Sequence, residues 1–138
     1  MIFVDTNVLL DVLESASTPE AEWSRRELAR VAGEETLAAN LIVAAELAGQ
    51  VRDADALEKT LTDAEIALVD IDVPVAFRAG RAFREYRRRG GARSTILPDF
   101  LIAAHAEQLG ATLLTRDRGL RSYFPDLTFI TPETHPHG

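Results

Sequence analysis

Short apolar runs alternate with longer amphipathic stretches along this chain, and the alternation predicts its fold class. Ile2-Phe3-Val4 is apolar on both faces and too short for a helix, as in a strand buried inside a parallel sheet. Thr6-Asn7 offers capping side chains before a helix through Val8-Leu9-Leu10-Asp11-Val12-Leu13. Ser15 to Pro19 breaks the pattern. Pro19 suits a first helical turn, and Trp23, Leu28 and Val31 carry the next helix to Gly33. Thr36-Leu37-Ala38-Ala39 predicts a weak second strand, after which Asn40 is an N-cap candidate for a helix containing Glu46.

Residues 54–63 predict a short helix, Ile66 to Ile71 a third strand, and Pro74 the start of another helix. In that helix Ala76, Ala79, Gly80, Phe83 and Tyr86 recur at helical spacing as a core stripe, with Arg78, Arg81, Arg84 and Arg88 on a different face. Gly90-Gly91 ends it, and residues 87–95 are the most loop-like internal segment. Pro98 to Gly110 predicts a helix with Gly110 as its C-cap; Ala111 to Leu114 and Leu127 to Ile130 predict strands. The sum is an α/β protein: one domain over 1–131, with a mainly parallel central sheet of four to five strands flanked by helices. A polar, Pro-rich tail over 132–138 is expected to be loose. Ligands of such sheets gather at the carboxyl ends of the strands, near the switch in strand order.

At 138 residues and 46% hydrophobic composition, the chain fits one domain with a substantial core, which begins directly after Met1. No apolar run is long enough to cross a bilayer, and no basic segment marks a cleavable signal. The absence of cysteine excludes disulfides, thiolate chemistry and Cys-based zinc sites, and a cytoplasmic location is expected. The net charge of −7 argues against a simple basic nucleic-acid-binding module. Its distribution changes that picture. Residues 1–72 hold 16 acids and 5 bases, whereas residues 73–138 hold 6 acids and 10 bases, all arginines. An acidic chain can therefore still present one positive face to phosphates.

Four acids interrupt the apolar runs: Asp5 after the first strand, Glu46 inside Leu41-Ile42-Val43-Ala44-Ala45-Glu46-Leu47, Asp99 before Phe100-Leu101-Ile102, and Asp117 after Leu113-Leu114-Thr115-Arg116. Carboxylates at apolar positions are expected to be paired or to bind a metal. Hard oxygen ligands point to Mg2+, with Mn2+ as an alternative. Each acid also has a structural explanation. Asp5 and Asp99 can cap helices, Asp117 can serve a turn before Gly119, and Thr6 can act as an ordinary cap. Glu46 is hardest to explain in that way, with apolar neighbours on both sides.

Val4-Asp5-Thr6-Asn7, Ala45-Glu46-Leu47, Asp99-Phe100-Leu101-Ile102-Ala103-Ala104 and Leu114-Thr115-Arg116-Asp117 follow one another in the order found in PIN-domain ribonucleases. The chain resembles most the VapC toxins of toxin–antitoxin pairs, over nearly its whole length, including Tyr123-Phe124-Pro125 and Thr131-Pro132. The resemblance implies a Mg2+-dependent endoribonuclease in which Asp5 and Asp99 ligate the ion directly. Glu46 would position a water or complete the metal shell, and Asp117 would ligate through water or a second ion. Thr6, Asn7 and Thr115 would be supporting residues that orient carboxylates or waters. A polar residue common in the family shortly before the Glu46 position is absent here, where Val43, Ala44 and Ala45 stand. Implied partners are an RNA substrate, a small antitoxin protein that can bring the pair to DNA, and a second copy in a homodimer, with Leu9, Val12, Leu13 and Trp23 available to that interface.

Arg116, beside Asp117, is a candidate RNA phosphate contact, and Arg87, Arg88, Arg89 and Arg93 around Gly90-Gly91 form a candidate phosphate clamp. Arg78 and Arg81 read as a solvated helix face. Phe3, Phe77, Phe83 and Phe129 read as core, leaving few aromatics for stacking. His105 reads as a surface or core residue, and His135 and His137 lack a third ligand. Two other readings differ in class. One is a catalytically weak module that binds a metal or a partner through the acidic pocket. The other is a phosphatase of the haloacid dehalogenase type, which needs a second Asp two residues after Asp5, where Asn7 stands.

Overall fold

In the computed structural model, which describes residues 1–136, the strands are β1 (Ile2–Val4), β2 (Leu37–Ala39), β3 (Ile66–Leu68), β4 (Thr112–Leu114) and β5 (Thr128–Ile130). The helices are α1 (Thr6–Glu14), α2 (Pro19–Ala32), α3 (Leu41–Leu47), α4 (Ala54–Asp63), α5 (Val73–Arg88) and α6 (Pro98–Gln108). All five strands are parallel, in the order β3-β2-β1-β4-β5, as the alternating pattern predicts. β1 and β2 run outward on one side and β4 and β5 on the other, so the strand order switches between β1 and β4.

The three central strands are buried on both faces, which explains why Ile2-Phe3-Val4 and Leu37-Ala38-Ala39 show no alternation. The third strand is shorter than Ile66 to Ile71. Pairing at this edge reaches only one bond further, from Val69 N to Ala39 O. Asn40 caps α3 as predicted, and the side chains of Thr18, Asp53 and Asp72 cap α2, α4 and α5. Beyond the last turn of α6, Gly110 turns left-handed (φ 65°), and Ala111 N returns to Ala106 O at 2.9 Å.

Asn40 does two things at once. Its Oδ1 accepts from Ile42 N and Val43 N at the head of α3, and its Nδ2 donates to His105 Nδ1 of α6 at 3.1 Å. Both side chains are buried, with the Phe3 ring centroid 5.2 Å from that of His105. His105 is thus a core histidine, and burial lowers its pKa.

Some core expectations are corrected. Phe77 is 66% exposed, with the Arg81 guanidinium over its ring, because α5 turns Val75, Ala79 and Ala82 inward and Ala76 and Phe77 outward. Arg78 is not a solvated residue. It pairs with Glu107 of α6 at 2.6 Å, donates to Tyr123 O and covers the Phe124 ring. Leu9 and Trp23 are buried within the chain, which removes them from the surface a second copy could use. In the tail, Trp23 Nε1 donates to His135 O at 2.7 Å, and Thr131 and Thr134 close a turn. His137 and Gly138 lie outside the described residues.

Candidate metal centre

The parallel register pairs Val4 with Leu114, so the residues that follow, Asp5 and Thr115, emerge side by side at the carboxyl ends of β1 and β4. Asp5 is only 2% exposed. It caps α1, accepting from Thr6 N at 2.7 Å through Oδ1, so the capping role is real. Its Oδ2 faces the strand switch and accepts from Thr115 Oγ1 at 2.6 Å and from Asn7 Nδ2 at 3.4 Å. Asp5 both caps a helix and faces the cluster.

Thr115 is the hub of this arrangement. Its single hydroxyl proton goes to Asp5, while Oγ1 accepts from Asp117 N at 2.9 Å and Asn7 Nδ2 at 3.4 Å. Asp117 is fixed in turn, with Oδ1 accepting from Gly119 N at 2.6 Å. Thr6 reaches the other way, donating to Glu46 Oε1 at 2.7 Å. The residues expected to support the acids therefore bond to them directly.

Burial separates the acids in a way the apolar flanks did not foretell. Asp5 is buried, Asp99 and Asp117 are half-buried, and Glu46 is exposed. α3 turns Val43, Ala44 and Leu47 inward, leaving Leu41, Ala45 and Glu46 on its outer face. Apolar neighbours in sequence do not bury a helical residue that points away from them.

Asp99 stands in the first turn of α6, whose amide ends favour a negative charge, but burial outweighs that advantage. Its pKa rises to about 7, first through burial, then through the charges of Asp5, Asp117 and Glu46, and lastly through the Asp117 carboxyl, which favours the protonated acid. That of Asp5 rises to about 6, also mainly through burial; the bonds from Thr115 and Thr6 oppose the rise, and the charges of Asp117 and Glu46 add to it. The charges of Asp117 and Glu46 thus bear on both Asp5 and Asp99 at the switch between β1 and β4. Among the described residues no three acids or histidines stand close enough to enclose an ion as placed, so the cluster is open. Its donors fit a divalent cation. They are all hard oxygens, and their mutual repulsion is what such a charge would relieve.

The arginines are placed less as expected. Arg116 turns away from the acids to pair with Asp11 of α1, with Nε on Oδ2 at 2.6 Å and a terminal nitrogen on Oδ1 at 3.1 Å. Asp11 also accepts from Ser24 Oγ of α2 at 2.5 Å, and Arg116 N donates to Asn7 Oδ1 at 3.2 Å. A guanidinium held by two bonds to a buried carboxylate is committed, so Arg116 braces the loop that carries Thr115 and Asp117 and is not free for phosphate. Nothing in the sequence paired Arg116 with Asp11, because the two lie 105 positions apart.

Arg87 folds back onto the carbonyls of Gly91 and Arg93, and Arg88 and Arg89 pair with Glu85. Arg93 is exposed, and its backbone N donates to Tyr86 Oη at 3.3 Å. Next to the acids, Tyr86, Leu97, Phe100, Leu120 and Tyr123 wall a cleft of about 270 Å3 that Asp99 and Asp117 also line. Tyr86, on the predicted core stripe, and Tyr123 are both partly buried and packed against the core.

The PIN domain family model matches residues 2–123. No curated protein sequence matches the chain. Among solved structures, the fold is similar to VapBC2 from Rickettsia felis bound to a promoter DNA fragment, with TM-score 0.69 and 22% identity, covering 95% of this chain and 98% of that one. It is also similar to a toxin–antitoxin complex from Klebsiella pneumoniae, with TM-score 0.67 and 23% identity over 96% and 98% of the two chains. VapBC-1 from nontypeable Haemophilus influenzae gives TM-score 0.67 and 21% identity, over 95% and 98%. With four acids gathered at the strand switch and a family match over most of its length, the chain belongs to the PIN domain family.

Proposed function

We propose that the chain is a Mg2+-dependent endoribonuclease, the toxin of a VapC-type toxin–antitoxin pair. The observation that carries this reading is the placement of Asp5 and Thr115 side by side at the carboxyl ends of β1 and β4, with Thr115 bonded to both Asp5 and Asp117 and Thr6 to Glu46. Asp5 and Asp99 are the direct ligands in this reading, Glu46 and Asp117 the outer ones, and Mn2+ is an alternative ion. Bound among them, a divalent ion supplies Lewis-acid chemistry, lowering the pKa of water and offsetting charge on the leaving oxygen of a phosphodiester. The chain's own work is orientation. Thr115 holds Asp5 Oδ2, Thr6 holds Glu46 Oε1, and Asn7 ties the β4 loop to α1.

The solved structures it resembles include toxins in complex with antitoxins, some bound to DNA. That supports a small antitoxin as partner, contact with DNA through that partner, and action in the cytoplasm. Among the described residues no helix is long and apolar enough to cross a membrane. A homodimer is proposed on the family resemblance alone. The second reading is a catalytically weak binding module that holds a metal or a partner through the same acids. The purified chain should cleave RNA with Mg2+ or Mn2+ and not with EDTA, and Asp99→Asn should lose the activity. If neither structured nor unstructured RNA is cut with either metal, the nuclease reading fails and the binding module is left.

A further inference from the structure

We infer that Arg78 is a positioning residue of the acid cluster, holding α6, which carries Asp99, at a fixed spacing from the segment after β4, which carries Asp117; this rests on the metal-centre reading above. One guanidinium touches three elements. Arg78 belongs to α5 and forks onto Glu107 of α6, with Nε on Oε1 at 2.6 Å and a terminal nitrogen on Oε2 at 3.3 Å. It also donates to Tyr123 O of the segment after β4 at 3.1 Å, and lies 4.6 Å from the centroid of the Phe124 ring.

That segment depends on ties of this kind. Between β4 and β5 the chain is a run of turns and bends, so no backbone ladder fixes Asp117 in space. At the near end Arg116 is bonded to Asp11 of α1. Further on, local bonds stiffen the chain, with Gly119 N donating to Asp117 Oδ1 at 2.6 Å and Tyr123 N to Leu120 O at 3.0 Å. A hold on Tyr123 O is therefore passed back to Asp117, and Arg78 supplies that hold at the far end.

The other arm of the fork bears on Asp99. Asp99 and Glu107 lie on one continuous helix, so fixing Glu107 fixes the axis on which Asp99 is mounted. Asp99 and Phe100 of α6 line the same cleft as Asp117, Leu120 and Tyr123, so the contact between these two elements is also the gap between the two acids. Aromatic packing alone does not set that gap. Phe100 meets Tyr123 and Phe124 with centroids 5.7 and 6.0 Å away, but apolar contact has no preferred direction, whereas hydrogen bonds from a rigid planar guanidinium do.

The test is metal affinity without RNA, with free Mn2+ measured by electron paramagnetic resonance. Arg78→Met keeps a stem over Phe124 and deletes the guanidinium, and Mn2+ affinity should fall about tenfold, as when a group behind a metal ligand is removed. Arg78→Lys keeps a charge opposite Glu107 but cannot fork onto it and reach Tyr123 O together, so its affinity should fall too, and it serves if Arg78→Met fails to fold. Arg30→Met controls for lost stability: it strips the partner from buried Glu27 on α2, which carries none of the four acids, and its Mn2+ affinity should match wild type. In RNA cleavage at saturating Mn2+, kcat of Arg78→Met should fall while KM holds, because protein groups already occupy the guanidinium. Wild-type affinity in both Arg78 variants, an equal loss in Arg30→Met, a rise in KM alone, or a chain that binds no Mn2+ overturns the assignment. The metal readout needs no cleavage, so the two readings fail separately. Weakened Mn2+ binding in a chain that cuts no RNA supports Arg78 and sinks the nuclease, and cleavage with unchanged affinity in both variants does the reverse.

Discussion

Arg116 holds both carboxylate oxygens of Asp11, so the loop after β4 is bolted to α1 by a two-point ion pair. With Ser24 Oγ on the same carboxylate, three elements meet at one buried acid. Arg116→Ala leaves Asp11 buried and short of partners, a loss of about 1–3 kcal/mol, reduced because Arg116 is itself partly exposed. Urea denaturation should show that loss, and Arg116→Lys should recover only part of it, because an ammonium cannot fork across two oxygens. An unchanged midpoint for Arg116→Ala would remove the brace from this account.

Thr115→Val keeps the side-chain shape and deletes the hydroxyl that gives its proton to Asp5 and accepts from Asp117 N. The Thr115 bond holds the Asp5 pKa down, so its loss should push that acid further up. Mg2+ affinity by calorimetry should fall about 10- to 100-fold, the usual effect of removing a partner behind a metal ligand. Equal affinities for the two proteins would show that the hydroxyl does not position Asp5.

Both raised acids make the metal-free protein sensitive to pH in an unusual direction. A carboxyl whose folded pKa lies above its unfolded value stabilises the fold most at low pH and loses that contribution as pH rises through the folded pKa. For Asp5 and Asp99 the window runs from about pH 4 to about pH 7. In EDTA, the melting temperature of the wild type should therefore fall relative to Asp99→Asn across that window. Mg2+ should reverse the loss near neutrality, and its apparent affinity should climb over the same range as protons cease to compete. A constant difference between the two melting curves at every pH would contradict the raised pKa of Asp99.

Gly91→Ala should destabilise by about 1–3 kcal/mol, because the added methyl meets the Tyr86 ring and one of them must move. The change should also disturb the Tyr86 ring resonances, whereas Gly49→Ala, with open space around it, should leave them alone. Unperturbed Tyr86 signals in Gly91→Ala would mean that the loop does not hold the ring.

The parts of this molecule legible in sequence are those governed by local pattern. Two-sided apolar triplets marked the buried strands, and Asn40, Pro19 and Pro74 marked helix starts because capping and first-turn geometry involve only the next few residues. The acids were visible because carboxylates are conspicuous among apolar residues. Orientation was not visible. Glu46 sits among apolar neighbours yet faces solvent, and Phe77 lies on the outer side of α5, since a helix sets direction by angle and not by flanking composition. Pairings across the chain were equally hidden. Arg116 beside Asp117 looks free in sequence, and only the fold brings Asp11 to it.

The Asn40–His105 bond has a consequence for how the acids move. Because Asn40 spends its oxygen on the head of α3, it can offer His105 only its NH2, so the ring takes the neutral tautomer protonated on Nε2. The bond rivets α3 to α6, the two helices that carry Glu46 and Asp99, through two buried side chains. The jaw width of the acid cluster is therefore set in the interior. Asn40→Leu would leave every acid in place in the sequence, and it would loosen the hinge on which two of them are mounted.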